Sequence, residues 1–448
     1  LLATAFEDYC KGLEIDNMDS ILNRYSEIVN RLNKSYWDIE DEEEHGYLVG
    51  SLGRHTAIKG VSDLDMLFVL PDSVYTEYNS KEGNKQSQLL QAVKKEIKKR
   101  YPRTTVRGDG QVVVVKFESI NYVAEVCPVF AESDGSFTYP DSNNGGSWKK
   151  TDPIPEIAES EIIIDESNDH YRHISNMIRA WKNEQGFKFG GLLIDTLVYN
   201  FFNEDSERKN VEYGSYLGLF KELFEYLKNQ NENRNFWYAL GSNQKVYNKK
   251  CKFVKKANTA YNKIKDLTED DEMLYSALQE IFGESFKAPE TEIVSESVSK
   301  SFALNSSSYN ITEQFVQNLF TVDIRYQLRI DCEVSQNGFR NELLRRTRFL
   351  RPQKKLKFFI EENEIDEINS KVKDEEDKLE YQVYWKVLNR GDEAIRRNCI
   401  RGQIVKDSGR QIKNESSDFR GEHYVECYLI SNGVCVARDR IIVPISTL

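Results

Sequence analysis

The sequence predicts an α+β protein with a mixed α/β front, a helical middle and a small β-sandwich-like tail. Three observations lead there. Residues 47–70, YLVGSLGRHTAIKGVSDLDMLFVL, read as a strand, a Gly-rich turn and a second strand. Between residues 170 and 283, apolar side chains recur at steps of three and four, as amphipathic helices require. The closing runs YQVYWKVLN, CIRGQIVK, HYVECYLI and RDRIIVPI are separated by Gly, Asn and Asp turns, the pattern of a small antiparallel sandwich.

Each element follows in order. Residues 3–37 are expected to be helical, with Ile21, Tyr25, Ile28 and Leu32 on one face. An acidic run, IEDEEEHG, precedes the first strand. Residues 84–101 predict a basic helix that buries Leu89, Val93 and Ile97. VVVVKFE and YVAEVCPVF predict a hairpin turning at 119–121, and the Gly/Asn/Ser/Pro-rich stretch 133–155 predicts a loop. Helices are expected at 170–185, 190–203, 215–230, 252–266 and 271–283. Residues 288–310 show no periodicity and read as a linker or an extended crossing. A basic cluster at 341–357 and an acidic stretch at 361–380 then lead into the tail. The expected division is 1–165 and 166–287 for two lobes of one core, 288–340 for a connecting segment and 341–448 for the β-rich domain.

Composition limits the function. The chain has 448 residues, 39% hydrophobic and 30% charged, with only 9 Pro and 24 Gly, a globular balance. No apolar run approaches the roughly 18 residues that span a bilayer. A net charge of −12 disfavours coating long nucleic acid, which is bound by neutralising phosphates. It leaves room for a small anionic ligand in a local basic pocket. The seven cysteines form no CxxC pair, so reduced thiols are expected. The start, LLATAFEDYCKGLEI, carries acids where a secretory signal needs a basic and then apolar stretch, and a cytoplasmic protein is expected. The absence of an initiator Met fits a processed or trimmed chain.

The chemistry concentrates in Gly50-Ser51-Leu52-Gly53 and, 13 residues after Gly50, in Asp63-Leu64-Asp65. Residues two apart on a strand share a face, so Asp63 and Asp65 project together. Adjacent carboxylates repel unless a cation sits between them. A hard divalent ion such as Mg2+ fits oxygen donors best. The Gly-Ser turn lets backbone NH groups and a hydroxyl approach phosphate oxygens. A second ion needs a third carboxylate. Glu125 is the candidate, an acid placed mid-strand in AEVCPVF.

These residues resemble the signature of the polymerase-β-like nucleotidyltransferases. The form GS-x-x-R-x-T-A-I-x-G-x-SD-x-D is similar to that of the bacterial cyclic-oligonucleotide synthetases, the SMODS or cGAS/DncV-like nucleotidyltransferases. GGSWKKTDP at 145–153, IRAWK at 178–182 and IFGESF at 281–286 resemble further stretches of that family. The resemblance covers about residues 1–287. The tail resembles the AGS-C sensor domain fused to such synthetases. The resemblance implies a polymerase-β-like core with a mixed sheet and a helical C-lobe. It implies that Asp63, Asp65 and Glu125 are catalytic and hold two ions, Mg2+ or Mn2+. Gly50, Ser51 and Lys182 would bind the nucleotide, with Lys59 and Arg54 as further sources of positive charge. The substrates would be ATP and/or GTP, and the product a cyclic di- or trinucleotide messenger in bacterial anti-phage (CBASS-type) defence. A regulatory ligand or protein is expected at the C-terminal domain. Where the family often has a Ser-Tyr pair, this chain has Gly190-Gly191. The alternatives are a nucleotidyltransferase acting on a protein, RNA or small-molecule acceptor, or a nucleotide-sensing module.

Other residues are read more plainly. Trp148 and Trp181 are expected to be packing residues, and the Arg345–Lys357 cluster a solvated or interface face. His55 is read evenly as a solvated or a functional loop residue. Tyr139 is read as packing, with base stacking as the lesser reading.

Overall fold

The computed structural model describes every residue except 61–62, 118–121, 249–251, 289–312, 337, 339, 348, 373–377, 390–395, 397–400, 418–420 and 446–448. The described residues form two compact units. One comprises residues 1–181 and 189–287, the other residues 182–188 and 288–448.

The first unit opens with α1 (Leu2–Gly12) and α2 (Met18–Tyr36). The single helix expected over 3–37 is therefore two, broken where Gly12 and the Asp16-Asn17 pair favour a turn. A seven-stranded sheet follows, built from β1 (Gly46–Leu48), β2 (Asp63–Val69), β3 (Thr105–Asp109), β4 (Val112–Phe117), β5 (Tyr122–Ala131), β6 (Phe137–Asp141) and β7 (Ser147–Thr151). The strands lie in the order β1-β2-β5-β4-β3, with β6 joined to β5 and β7 to β6. Only β2 and β5 run parallel. The one-turn helix α3 (Gly50–Gly53) links β1 to β2, and α4 (Asp72–Asn79) and α5 (Lys85–Arg100) follow β2.

Alternation along the strands gives this sheet two unlike faces. Leu64, Met66, Phe68, Ala124 and Val126 face a core completed by Ile28 and Leu32 of α2 and Leu89, Val93 and Ile97 of α5. Each of these side chains larger than alanine contributes roughly 1.5–3 kcal/mol by leaving water. The other face carries Asp63, Asp65 and Glu125, none of them fully buried. Beyond them lies a small apolar cluster of Val49, Leu67, Val129 and Phe137, with Ile154 and Ile157 packed on it. The stretch 133–155, expected as a loop, forms the β6–β7 hairpin. Asn143, Asn144, Gly145 and Gly146 make only the turn, where the last three adopt positive φ. The hairpin turn expected at 119–121 lies outside the described residues.

The helical part comprises α6 (Pro153–Glu166), α7 (His170–Gln185), α8 (Gly191–Glu204), α9 (Tyr216–Lys228), α10 (Lys252–Ile264) and α11 (Leu274–Phe282), with a short hairpin of β8 (Phe236–Tyr238) and β9 (Lys245–Tyr247) between α9 and α10. All but α6 match expected helices. α6 starts on a proline, whose missing N–H costs nothing in the first turn. Trp181 is buried against Phe224 at a centroid separation of 5.1 Å. Trp148 packs on Tyr75 and Phe130 and donates to Asn79 Oδ1 at 3.1 Å. Both tryptophans are packing residues, as expected. Among the described residues, no helix is long and apolar enough to cross a membrane. Cys10, Cys127, Cys332, Cys427 and Cys435 are free thiols; Cys251 and Cys399 lie outside the described residues.

The second unit is a β-sandwich. A five-stranded sheet contains β10 (Thr321–Val322), β14 (Gln382–Asn389), β15 (Ile404–Lys406), β17 (Gly421–Ser431) and β18 (Val434–Ile445). A four-stranded sheet contains β11 (Leu328–Ser335), β12 (Glu342–Leu343), β13 (Lys355–Asn363) and β16 (Ile412–Ser416). Ile330, Cys332 and Phe358 of the smaller sheet share one core with Trp385, Cys427, Leu429 and Ala437 of the larger. β10 and β11 lie within residues 288–340, expected as a connecting segment. β11 alternates buried Leu328, Ile330, Cys332 and Val334 with more polar residues and pairs with β13. Residues from about 313 onward therefore belong to the sandwich.

Candidate active site

The site grows from the register of two strands. In the parallel β2–β5 pair, Asp63 lies opposite Val123 and Asp65 opposite Glu125. Adjacent strands are about 4.8 Å apart, so Asp65 and Glu125 stand abreast. Asp63, two residues along β2, shares their face. Among the described residues, no three His, Cys, Asp or Glu side chains converge into a closed ligand set. The donor set consists of three carboxylates on one partly open sheet face, and such oxygens suit a hard divalent ion such as Mg2+ or Mn2+.

Neighbouring groups register this negative field. The Tyr122 phenol is held well above its ordinary range, first by burial and then by the charges of Asp63 and Asp65. Burial and the Glu125 charge push the Cys127 thiol up to about 12, leaving it protonated and unreactive.

Gly50 closes the site from below. Its φ is +63°, and a Cβ built there would lie 2.0 Å from Asp65 Oδ2. Only glycine permits both the left-handed backbone and this approach. The turn then wraps on itself. Arg54 N–H donates to Gly50 O at 3.2 Å, and the N–H groups of Thr56 and Ala57 donate to Ser51 O at 2.9 and 3.1 Å. Val49 N–H donates to Asp65 O at 3.0 Å, fixing the turn to the acid-bearing strand. Gly50, Ser51, Asp65 and Glu125 are thus brought together, with Asp63 alongside. Ser62 lies outside the described residues.

The expected basic residues are placed differently. Lys182 is buried, and its ammonium donates to Ile324 O at 2.9 Å and pairs with Asp323 at 3.2 Å, both in the second unit. Its charge is spent there, which corrects its expected role at a triphosphate. Arg54 is 5% exposed and bonded to Asp195, so it offers no open charge to a phosphate. Lys59 pairs with Asp16 at 2.7 Å on the exposed surface. His55 is exposed, with a ring nitrogen 3.2 Å from Glu161.

One residue was missed in the sequence. Asp195 of α8 is fully buried and receives Arg54 Nε, Thr56 Oγ1 and both terminal nitrogens of Arg179 at 2.7–2.9 Å. Burial alone would raise its carboxyl, but Arg179 and Arg54 hold it below the ordinary range. Its signal was an acid inside the apolar run LLIDTLVYNFF, the same kind of signal that marked Glu125.

A Gly-Ser turn is thus seated on a strand that carries two acids, with a third acid abreast on a parallel neighbour. Two family models identify the chain further. Residues 2–162 match the Second Messenger Oligonucleotide or Dinucleotide Synthetase domain, SMODS. Residues 310–446 match the Adenylyl/Guanylyl and SMODS C-terminal sensor domain, AGS_C. The chain therefore combines a SMODS domain, that of a cyclic nucleotide synthase, with a C-terminal AGS_C domain. It is 21% identical over 244 residues to a probable cyclic nucleotide synthase of Bacillus cereus (strain VD146), covering 48% of this chain and 70% of that relative. Its fold is similar to that of CdnC from E. coli MS115-1. The structure of CdnC in complex with HORMA-deltaN gives a TM-score of 0.50 at 13% identity, over 64% of this chain and 99% of that one. The structure of CdnC with ATP gives 0.50 at 14% identity over the same shares.

Proposed function

We propose that this synthase joins purine nucleoside triphosphates into a cyclic di- or trinucleotide at Asp63, Asp65 and Glu125, in a divalent-metal-dependent reaction. The observation that carries this reading is the Asp65–Glu125 register, with Asp63 on the same face and Gly50 against Asp65. In such a site a pair of Mg2+ ions would lower the pKa of an attacking hydroxyl and neutralise a leaving pyrophosphate. The chain's own residues do the rest. The three carboxylates would hold the ions and keep the reacting groups in line. Backbone N–H groups and the hydroxyl of Gly50–Ser51 would cradle the donor triphosphate.

The ribose hydroxyl of one nucleotide forms a bond to the α-phosphorus of another. The bond from that phosphorus to the bridging oxygen of the β-phosphate breaks, and pyrophosphate departs with the electron pair. The hydroxyl proton passes to one of the carboxylates or to solvent. A second transfer of the same kind closes the ring. Purine choice and a role in anti-phage defence rest on the family resemblance. The AGS_C domain would bind a regulatory ligand or partner.

The deciding experiment is incubation with mixed NTPs and Mg2+ or Mn2+, followed by mass spectrometry. A cyclic product without any added acceptor is expected. Labelling of a protein, RNA or small molecule instead would overturn the reading.

A further inference from the structure

We infer that Asp195 is a positioning residue for the nucleotide-binding turn, acting through Arg54 and Thr56. The inference rests on the catalytic reading above and assigns a role to a residue that touches neither acid nor nucleotide.

The geometry is one-directional. Both oxygens of Asp195 are committed: Oδ1 to Arg179 at 2.7 Å, and Oδ2 to Arg54, Thr56 and Arg179 at 2.8–2.9 Å. Arg179 grips the carboxylate with two nitrogens, a geometry that fixes orientation as well as charge. Arg179 also donates to Gly191 O at 3.2 Å, and Tyr171 O–H donates to the Asp195 backbone carbonyl at 3.1 Å. The carboxylate is thus anchored from α7 and α8, and it presents one oxygen to the turn.

The turn residues it holds close the Gly-Ser segment. Arg54 and Thr56 are the residues whose backbone N–H groups bond to Gly50 O and Ser51 O. Ser160 Oγ donates to Arg54 O at 2.6 Å, holding the same peptide from α6. Arg54 also faces Glu156 at 3.9 Å, so two guanidinium groups meet two carboxylates. Loosening Asp195 would let residues 50–57 drift from Asp65. A shift of this kind weakens contact with the triphosphate more than it alters the reacting carboxylates.

The test compares Thr56→Val and Arg54→Lys with the wild type, because Asp195→Asn leaves two buried cations underpaired and risks misfolding. NTP consumption and hydrogen exchange of the 50–57 peptide are measured in the full chain. Each variant should raise KM for NTP by about 3–10-fold with kcat within about 2-fold, the signature of lost binding rather than lost chemistry. The 50–57 peptide should exchange faster while peptides of α9 and α10 do not. Unchanged KM and unchanged exchange at 50–57, even with a lowered melting temperature, would overturn the inference. If the wild type consumes no NTP, the catalytic reading falls, and exchange at 50–57 still decides the positioning role.

Discussion

Asp65 and Glu125 lie directly opposite each other on the parallel strands β2 and β5. Two carboxylates placed so can hold a divalent cation between them. Asp63→Ala together with Asp65→Ala should therefore lower nucleotide incorporation by at least about 10³-fold. The melting temperature, read alongside, should show a folded chain, which separates lost chemistry from lost structure. Glu125→Gln, which keeps the shape and removes the charge, should be similarly inactive. Product formation and thermal melting together check both.

Gly50 presses on Asp65 where no side chain fits. Gly50→Ala places a methyl group on Asp65 Oδ2 and forces an L-residue into φ +63°. The expected loss is about 1–3 kcal/mol of stability. Activity should fall about 10²-fold because the methyl group displaces Asp65 itself. Denaturant melts and initial rates at saturating NTP provide the check.

His173 introduces a pH dependence. Its imidazole is held at about 4, chiefly by burial and then by Arg172. Unfolded, it takes a proton near pH 6.5. The unfolded chain binds more protons between these values, so stability is complete above about pH 6.5 and declines as pH falls toward 4. Melting temperature should drop by about 2–4 °C across that window. His173→Gln should flatten the decline.

Glu426 anchors a buried cluster in the second unit. It accepts from Arg438 at 2.7 Å, Arg440 at 3.0 Å and Tyr428 at 2.6 Å, and it lies 3.8 Å from Lys386. Burial opposes its charge, yet Arg438, Arg440 and Lys386 hold its carboxyl at about 2. Its contribution is present above about pH 4.5 and is lost as pH falls toward 2. Glu426→Ala removes the buried carboxylate these cations share, leaving Arg438 and Arg440 to Glu184 and Lys386 to Glu313, and should destabilise the chain by about 3 kcal/mol at neutral pH, read by denaturant melts.

What the sequence disclosed depended on how local each signal was. Asp63 and Asp65 are two apart on one strand, so their shared face follows from strand geometry alone. Glu125 stood out because it interrupts an apolar strand. Asp195 interrupts an apolar helix in the same way, but its partner Arg54 lies 141 residues earlier, and no local pattern joins them. The same separation hides the partner of Lys182, so a basic residue beside a Trp was read as facing phosphate when it meets Asp323. In 133–155 the Gly and Asn of a tight turn masked the short strands flanking it. In β11 the alternation Leu328, Ile330, Cys332 and Val334 was readable, but the featureless stretch before it drew the whole region into a linker.

The last turn of α7 has a practical consequence. Residues 182–188 are counted with the sandwich: Lys182 and Asn183 spend their polar groups on Val322, Asp323 and Ile324, and Glu184 faces Arg438. The two parts of the polypeptide are therefore not interchangeable cassettes joined at residue 288. A chimera that borrows a sensor domain from a relative must carry the matching seven-residue turn with it. A fragment ending at 287 would keep an ammonium and an amide whose partners are gone. Inactivity of such a fragment would report that loss before it reported any regulation.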